Sequence, residues 1–269
     1  MPDSMPNLGV RVGIIGAGAL GGALIDRLLA SGSVPPSGII ACEPKDARRE
    51  EIGKRFAVAI TADPKEAAAC GIVVLAAPPL EIRKVLEEIA DRLGHRPLIV
   101  SFAGAIPLSL LEATLPAGVP VVRGNPNSAS IVGGGYNPVV YGSNIDQAAR
   151  SLADRFLGLL GSGPVIRDVE MNLYTALTAV GPTYFLPIFD AMISAGLAGG
   201  LSRAAAVEAA VETARGSAEM VARRSETPEQ LKLFTGLRPL EDAAVRELVG
   251  KAISAALARM ESVQAQASQ

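Results

Sequence analysis

Tryptophan is absent from this 269-residue chain, histidine occurs once, cysteine twice, and aromatic residues make up only 4% of the total. So few rings provide no platform on which nucleic-acid bases would stack. The 25 Lys and Arg residues almost balance the 27 Asp and Glu, so no broad positive field is available to hold nucleic acid or an anionic membrane. Cys42 and Cys70 lie far apart, without a CxxC pair, and His95 is the sole imidazole. That pattern argues against a metal site and for two reduced, buried thiols in a cytoplasmic protein. The longest apolar stretches, such as Ile72 to Leu80, are broken by Gly or Pro and fall short of the ~20 residues that span a bilayer, so no transmembrane helix is expected. Residues 1–9 lack the basic start and apolar core of a secretory signal. These exclusions favour a small-molecule partner.

What is present is ample apolar material, 49% hydrophobic against 19% charged residues, enough for packed cores in two domains. Strand and helix signals alternate through the first half. Val10 to Ile15 predicts a strand, Ala19 to Leu29 a helix, Ile39 to Cys42 a strand, Asp46 to Phe56 a helix and Ala57 to Ile60 a strand. Asp63 with Glu66 reads as a capping box opening a Pro64 to Ala69 helix. Ile72 to Ala76 is a continuous apolar run, as expected of a strand buried on both faces of a parallel sheet. A helix over Leu80 to Leu93, a strand over Leu98 to Ser101, a helix over Leu108 to Thr114, strands over Val119 to Arg123 and Pro138 to Tyr141, a helix over Asp146 to Leu160 and a last strand at Val165 to Ile166 follow. Repeated βα units with short connections predict a doubly wound sheet over residues 1–168, because parallel neighbours need crossover helices. From Glu170 onward Ala-rich helical stretches over 170–198, 202–224 and 239–264 predict an all-α second domain, residues 169–269, with a subunit interface on its apolar faces.

One motif carries chemistry. Gly16-Ala17-Gly18-Ala19-Leu20-Gly21 directly follows a predicted strand and opens a predicted helix, the context of a dinucleotide fingerprint. Gly16 permits the tight turn, Gly18 lets the backbone approach a pyrophosphate, Gly21 allows close helix–sheet packing, and the helix N-terminus presents its N–H groups to the phosphates. Glu43, about twenty residues on at the end of the second strand, would accept hydrogen bonds from the ribose hydroxyls and favours NAD(H). Lys45, Arg48 and Arg49 would hold the 2′-phosphate of NADP(H) if Glu43 turned away. Ala76, Ala77, Pro78 and Pro79 end the fourth strand, on the edge where parallel sheets bind ligands or, equally, as a plain turn.

GIIGAGALGGALI (13–25), SFAGAIPL (101–108), VVRGNPNSASIVGGG (121–135) and LTAVGPTYFLPIFDAMISAGLAGGL (177–201) resemble, in order and spacing, the pyrroline-5-carboxylate reductases. The resemblance implies a Rossmann domain followed by a helical domain that dimerises, and NAD(P)H-dependent reduction of a cyclic imine to proline. It also implies that Ala77 to Pro79 line the nicotinamide side, that Pro126, Asn127 and Ser128 correspond to the family's Pro-Asn-Thr, and that Gly181-Pro182 open its helix. Three segments depart from the pattern. The family's Lys-Pro-Gln reads Ala77-Pro78-Pro79, its Ser-Gly-Ser-Gly-Pro reads Thr178-Ala179-Val180-Gly181-Pro182, and its Ser-Pro-Gly-Gly-Thr-Thr loop reads Phe234-Thr235-Gly236-Leu237-Arg238-Pro239.

Imine reduction asks little of the protein beyond orientation, whereas a ketone acceptor needs a general acid. The candidate donors are Asn127, Ser128, Thr178, Thr183, Tyr184, Thr235 and Arg238. Tyr184 fits a core or interface position as well as a proton donor; Arg238 fits a carboxylate grip or a surface ion pair. Asn125 to Gly135 reads as a flexible loop able to close over ligand or as a structural glycine turn. Arg123, ending a strand beside it, reads as an ordinary sheet-edge charge or as a group facing the cofactor phosphates or a carboxylate, and His95 reads as a solvated loop residue. Three functions stay open at this point: the imine reductase, a dehydrogenase of the same lineage with a different keto or imine acceptor, and a nucleotide-binding regulator without catalysis.

Overall fold

The structure is a computed structural model that describes residues 7–267, Arg238 excepted. Contacts group the chain into two compact units, one running to Val180 and resuming at Ala255, the other Gly181–Ser254.

In the first unit the elements in chain order are β1 (Val12–Ile15), α1 (Ala19–Ala30), β2 (Ile39–Cys42), α2 (Asp46–Arg55), β3 (Ala59–Thr61), α3 (Pro64–Ala68), β4 (Ile72–Leu75), α4 (Ile82–Ile89), β5 (Leu98–Ser101), α5 (Leu108–Thr114), β6 (Val121–Gly124), β7 (Gly135–Tyr136), β8 (Val139–Tyr141), α6 (Gln147–Gly158), β9 (Gly161–Ser162) and α7 (Met171–Tyr174). Seven strands form one sheet in the order β3-β2-β1-β4-β5-β6-β8, parallel except for β8, which pairs antiparallel with β6. The order reverses between β1 and β4, which opens a crevice at the carboxyl ends of the strands.

The apolar runs behave as the pattern requires. β1, β2, β4, β5 and β6 are buried along their whole length, because both faces of the sheet are covered. Alternate side chains enter opposite cores. Val12, Ile14, Ile72 and Val74 pack with Leu24, Leu28 and Phe156 of α1 and α6. Ile15, Val73 and Leu75 pack with Ile82, Leu86, Ile89 and Leu111 of α4 and α5. Cys42 and Cys70 are buried and free. The expected doubly wound architecture is present.

Local expectations shift in several places. Asp63 does cap α3, but onto the Lys65 N–H at 2.8 Å, and no reciprocal box with Glu66 forms. The expected 80–93 helix is α-helical only over Ile82–Ile89 and tightens to 3-10 turns at both ends, where Pro79 and Gly94 interrupt it. Val165 makes one isolated bridge to Val139; the short strand in that region is instead β9, paired with β7. The glycine-rich 125–135 segment is built into the fold. Ser128–Val132 forms a 3-10 turn capped by Asn127, and Gly135 pairs with Gly161. A Cβ on Gly135 would lie 2.2 Å from Ser130 Oγ, so glycine is required by packing there. Arg123 is no sheet-edge charge: it is 1% exposed and paired with Asp168.

The second unit holds α8 (Pro182–Ala198), α9 (Arg203–Arg223), α10 (Pro228–Leu231) and the first part of α11 (Asp242–Ala267), whose last turns belong to the first unit. α8 and α9 form an antiparallel pair around the Gly199-Gly200 turn, held close where a Cβ on Gly196 would meet Ala206 Cβ at 3.0 Å. Ser202 caps α9, and a Thr227/Gln230 capping box opens α10. Few apolar side chains of this unit are covered: Phe185, Leu186, Ile188 and Leu248 are all more than half exposed. Contrary to expectation, one helical run, Asp168–Ala198, is long and apolar enough to cross a membrane by length and composition. It is not one regular helix, because Thr175–Ala179 is a π-turn and Pro187 sits inside α8.

Candidate dinucleotide site

The β1–α1 junction is built around three glycines with different duties. Gly16 takes φ +96°, and a Cβ there would lie 2.4 Å from the Ala77 amide nitrogen, so only glycine allows β1 and the end of β4 to meet. A Cβ on Gly21 would lie 2.2 Å from the Gly16 carbonyl, which seats the first turn of α1 on the loop. Gly18 differs, since a Cβ there would meet nothing nearer than Arg48 Nη2 at 4.0 Å. Space above Gly18 is therefore kept open, as the approach of a phosphate group requires. Gly18 is the N-cap of α1 and no side chain caps the helix, which leaves its positive end available to an anion. This is a fit for the pyrophosphate of a dinucleotide.

Beside the loop, a cleft of about 370 Å³ is lined by Gly16, Cys42, Pro44, Ala62, Pro64, Ala77, Lys84, Val85 and Glu88, among others. Its apolar walls and charged rim suit the adenosine half. Glu43, at the tip of β2, is 7% exposed, and its Oε1 accepts from the Lys45 N–H at 3.2 Å. The three basic residues nearby divide their duties. Arg49 is spent on the Glu43 and Pro44 carbonyls, at 2.9 and 2.7 Å, and on Asp46. Arg48 reaches toward Gly18, and Lys45 is exposed. Burial, with Glu43, Asp63 and Glu88 adding repulsion, pushes the Cys42 thiol up to about 12, so it lines the cleft as a neutral apolar group.

On the other side of the loop, Ala76 donates its N–H to the Ile15 carbonyl at 2.8 Å, Ala77 is buried, and Pro78 starts a 3-10 turn. A second cavity, about 300 Å³, lies between Ala19, Leu20, Ala23 and Leu24 of α1 and the Pro126–Ile131 segment. Asn127 holds that segment in place. Its Oδ1 accepts from the Ala129 N–H at 3.0 Å, and its Nδ2 donates to the Thr178 carbonyl at 3.1 Å.

Asn125 is buried and donates to the Thr175 hydroxyl, which in turn donates to the Met171 carbonyl. The two asparagines thus pin the Thr175–Ala179 π-turn, where the Val180 N–H bonds to the Thr175 carbonyl. A π-turn widens the helix by one residue and commonly marks a functional segment. Neither this turn, nor Asn137, whose Oδ1 accepts from the Asn127 N–H and the Ser130 hydroxyl, nor Asp168 carried a sequence signal, and Asn125 reads in the sequence only as the start of the glycine-rich segment.

The candidate residues fall into two groups. Gly16, Ala17, Gly18, Ala19, Leu20, Gly21, Glu43, Ala76, Ala77, Pro78, Asn127 and Thr178 lie in the first unit around the carboxyl edge of the sheet. Thr178 donates its hydroxyl to the Tyr174 carbonyl at 2.8 Å, which leaves its oxygen free to accept. Tyr184 and Thr235 belong to the second unit. Burial raises the Tyr184 phenol; Thr235 is exposed after a 3-10 turn. Arg238 lies outside the described residues. His95, exposed as expected, hydrogen-bonds the Cys70 and Arg92 carbonyls at the opposite end of the strands.

Comparison with known proteins agrees with this geometry. Residues 11–105 match the family model described as NADP oxidoreductase coenzyme F420-dependent, and residues 168–263 match that of pyrroline-5-carboxylate reductase dimerisation. A pyrroline-5-carboxylate reductase of Pseudomonas aeruginosa is 33% identical over 224 residues, 82% of each chain. One from Synechocystis is 27% identical over 95% of this chain and 99% of its own. The crystal structure of the Plasmodium falciparum pyrroline carboxylate reductase, with NADP bound, superposes with a TM-score of 0.79 at 22% identity, covering 96% of this chain and 99% of the other. With a glycine cradle at the β1–α1 junction, a dimerisation-type helical region and this similarity along most of its length, the chain belongs to the pyrroline-5-carboxylate reductase family of NAD(P)-dependent oxidoreductases.

Proposed function

We propose that the chain reduces pyrroline-5-carboxylate to proline with a nicotinamide dinucleotide, and that NADH is the preferred donor. The observation that carries the reading is the cradle itself: Gly16 and Gly21 are filled by backbone, whereas Gly18 is held open at an uncapped helix N-terminus. A bound dinucleotide supplies the hydride. The protein supplies binding, orientation and a dry site. Gly18 and the first turn of α1 take the pyrophosphate, and the Cys42–Pro44 and Ala62–Pro64 walls take the adenosine. Glu43 takes the ribose. A protonated imine is already electrophilic, so Asn127 and Thr178 of the first unit need only position the acceptor and exclude water.

The preference for NADH rests on Glu43, whose carboxylate suits a 2′-hydroxyl and repels a 2′-phosphate. Arg49 is already committed to the Glu43 and Pro44 carbonyls, leaving Arg48 as the one arginine of the pair directed to the loop. The apolar surface of α8, including Phe185, Leu186 and Ile188, supports a homodimer through the helical unit. The same surface accounts for the membrane-like composition of Asp168–Ala198 without a lipid contact.

The test is kinetic. Purified enzyme is expected to oxidise excess proline with NAD at high pH, with a higher kcat/KM for NAD(H) than for NADP(H), and Glu43→Ser is expected to invert that ratio. A protein that binds NADH but turns over no proline or cyclic imine sinks the substrate assignment. The altered Phe234–Pro239 segment favours, as a second reading, a related imine or keto acid; a substrate panel with NADH separates the two.

A further inference from the structure

Away from the dinucleotide site, at the amino ends of the strands, lies a cleft of about 540 Å³. Val10 precedes β1, Gly71 precedes β4, Leu98 opens β5 and Pro120 precedes β6; Leu152 and Arg155 of α6 form the facing wall. Two guanidinium groups line it, those of Arg96 and Arg155, and among the described residues neither has an ion-pair or hydrogen-bond partner. One carboxylate, that of Asp146, also faces the cleft, and its Oδ1 is occupied in capping the Ala149 N–H at 2.8 Å. In a protein of net charge −2, this is a local concentration of unpaired positive charge.

The backbone beneath Arg96 strengthens the case. Arg96 is the only non-glycine residue with positive φ among those described, at +53°, and it precedes Pro97. The left-handed region is costly for a residue with a Cβ, and glycine would occupy it without strain. Arg96 is the left-handed C-cap that ends the Ala90–His95 3-10 turn, its N–H bonded to the Leu93 carbonyl, a position glycine usually fills, so an arginine is carried there at a cost. The guanidinium has a prepared seat. It lies against Gly118, itself at φ +80°, where a Cβ would come within 3.2 Å of Arg96 Cζ and Nη2. Asn144 adds a neutral donor, while Val10, Leu98, Pro120, Ala148 and Leu152 give the cleft an apolar side, and no aromatic ring lines it for a base to stack on.

We propose that this cleft is a second ligand site, separate from the active site, for a small oxyanion carrying a short apolar body, held between Arg96 and Arg155. Carboxylate and phosphate share the recognition chemistry, since a guanidinium fork pairs bidentately with either. Binding at this face leaves the carboxyl-edge machinery free, so the ligand and the dinucleotide bind together.

Amide-resolved NMR on the NADH-saturated protein provides the test, because the bound dinucleotide blocks the phosphate-binding loop at Gly18. Titration with pentanoate in one arm and inorganic phosphate in the other, at constant ionic strength, is expected to shift the Gly118, Asn144 and Leu98 amides saturably while leaving Gly16 and Gly18 unmoved. A larger response to pentanoate identifies a carboxylate ligand, and a larger response to phosphate a phosphorylated one. Arg155→Ala, on an exposed position of α6, and the double variant with Arg96→Ala are expected to weaken the titration at least tenfold with basal turnover unchanged. Absence of saturable shifts in both arms, or equal titrations in wild type and Arg155→Ala, overturns the proposal.

Discussion

Removing the carboxylate of Asp168 is expected to damage the first unit far more than removing the arginine it pairs with. Arg123 Nη1 lies 2.5 Å from Asp168 Oδ1, and its Nη2 donates to the Gly104 carbonyl; the arginine side chain is 1% exposed and the aspartate 28%. Arg123 Nε already lacks a partner, and burial works against the charged guanidinium while Asp168 supports it. Asp168→Ala strands that charge in the interior and also frees the Leu108 N–H, which Asp168 Oδ2 accepts at 3.0 Å. Breaking a buried pair from one side costs about 3–5 kcal/mol, and partial exposure of Asp168 places this case near the lower end, about 3 kcal/mol. Arg123→Met removes the charge that needed compensation and fills most of its volume, leaving a carboxylate that water reaches; the expected cost is about 1 kcal/mol or less. At roughly 2–4 °C per kcal/mol for a unit of this size, Asp168→Ala lowers the melting temperature by about 6–12 °C, and Arg123→Met by only a few degrees. Calorimetry on the two variants side by side is the assay. Equal losses, or a larger loss for Arg123→Met, would refute the reasoning.

Two further outcomes are expected. Gly16→Ala forces a Cβ onto the Ala77 backbone and should lower both stability and cofactor affinity, whereas Gly18→Ala meets nothing within hard contact and should retain its melting temperature while losing about tenfold or more in NADH affinity, about 1.4 kcal/mol, by fluorescence titration; parallel behaviour of the two would contradict the assigned roles. Because the Cys42 thiol is raised from 9.0 to about 12 in the folded chain, the unfolded state loses its proton first, so stability falls as pH rises above about 9 and the fall continues toward 12. Cys42→Ala should flatten that alkaline decline in denaturant titrations at pH 8 and 10.5, and an unchanged slope would show that the thiol is not its source.

Much of the first unit could be read in one dimension because its causes are local. Ile72–Leu75 is apolar at every position, and such a short run bounded by Gly71 and Ala76-Ala77-Pro78 has few options other than a strand covered on both sides. The glycine loop was equally legible: its spacing follows from steric demands that only Gly16 and Gly21 meet. Arg123 was misread because an arginine at a strand end looks the same whether its partner is water or a carboxylate far along the chain. The 125–135 segment misled for a related reason, since glycine permits both mobility and close approach, and only the positions of Ser130, Asn137 and Gly161 select the second.

The sequence by itself determined the parallel sheet, the nucleotide loop and the helical second half, because hydrophobic period and backbone sterics act between residues a few positions apart; the family came from the resemblance of its motifs, not from that physics. Only the tertiary structure decided that Asn125 and Asn127 pin a π-turn, that Arg123 is a buried ion, and that Arg96 lies strained over Gly118 at the far edge of the sheet. Those arrangements depend on which distant groups share a low-dielectric or crowded space, and a polar side chain carries no mark of its partner until the chain has closed around it.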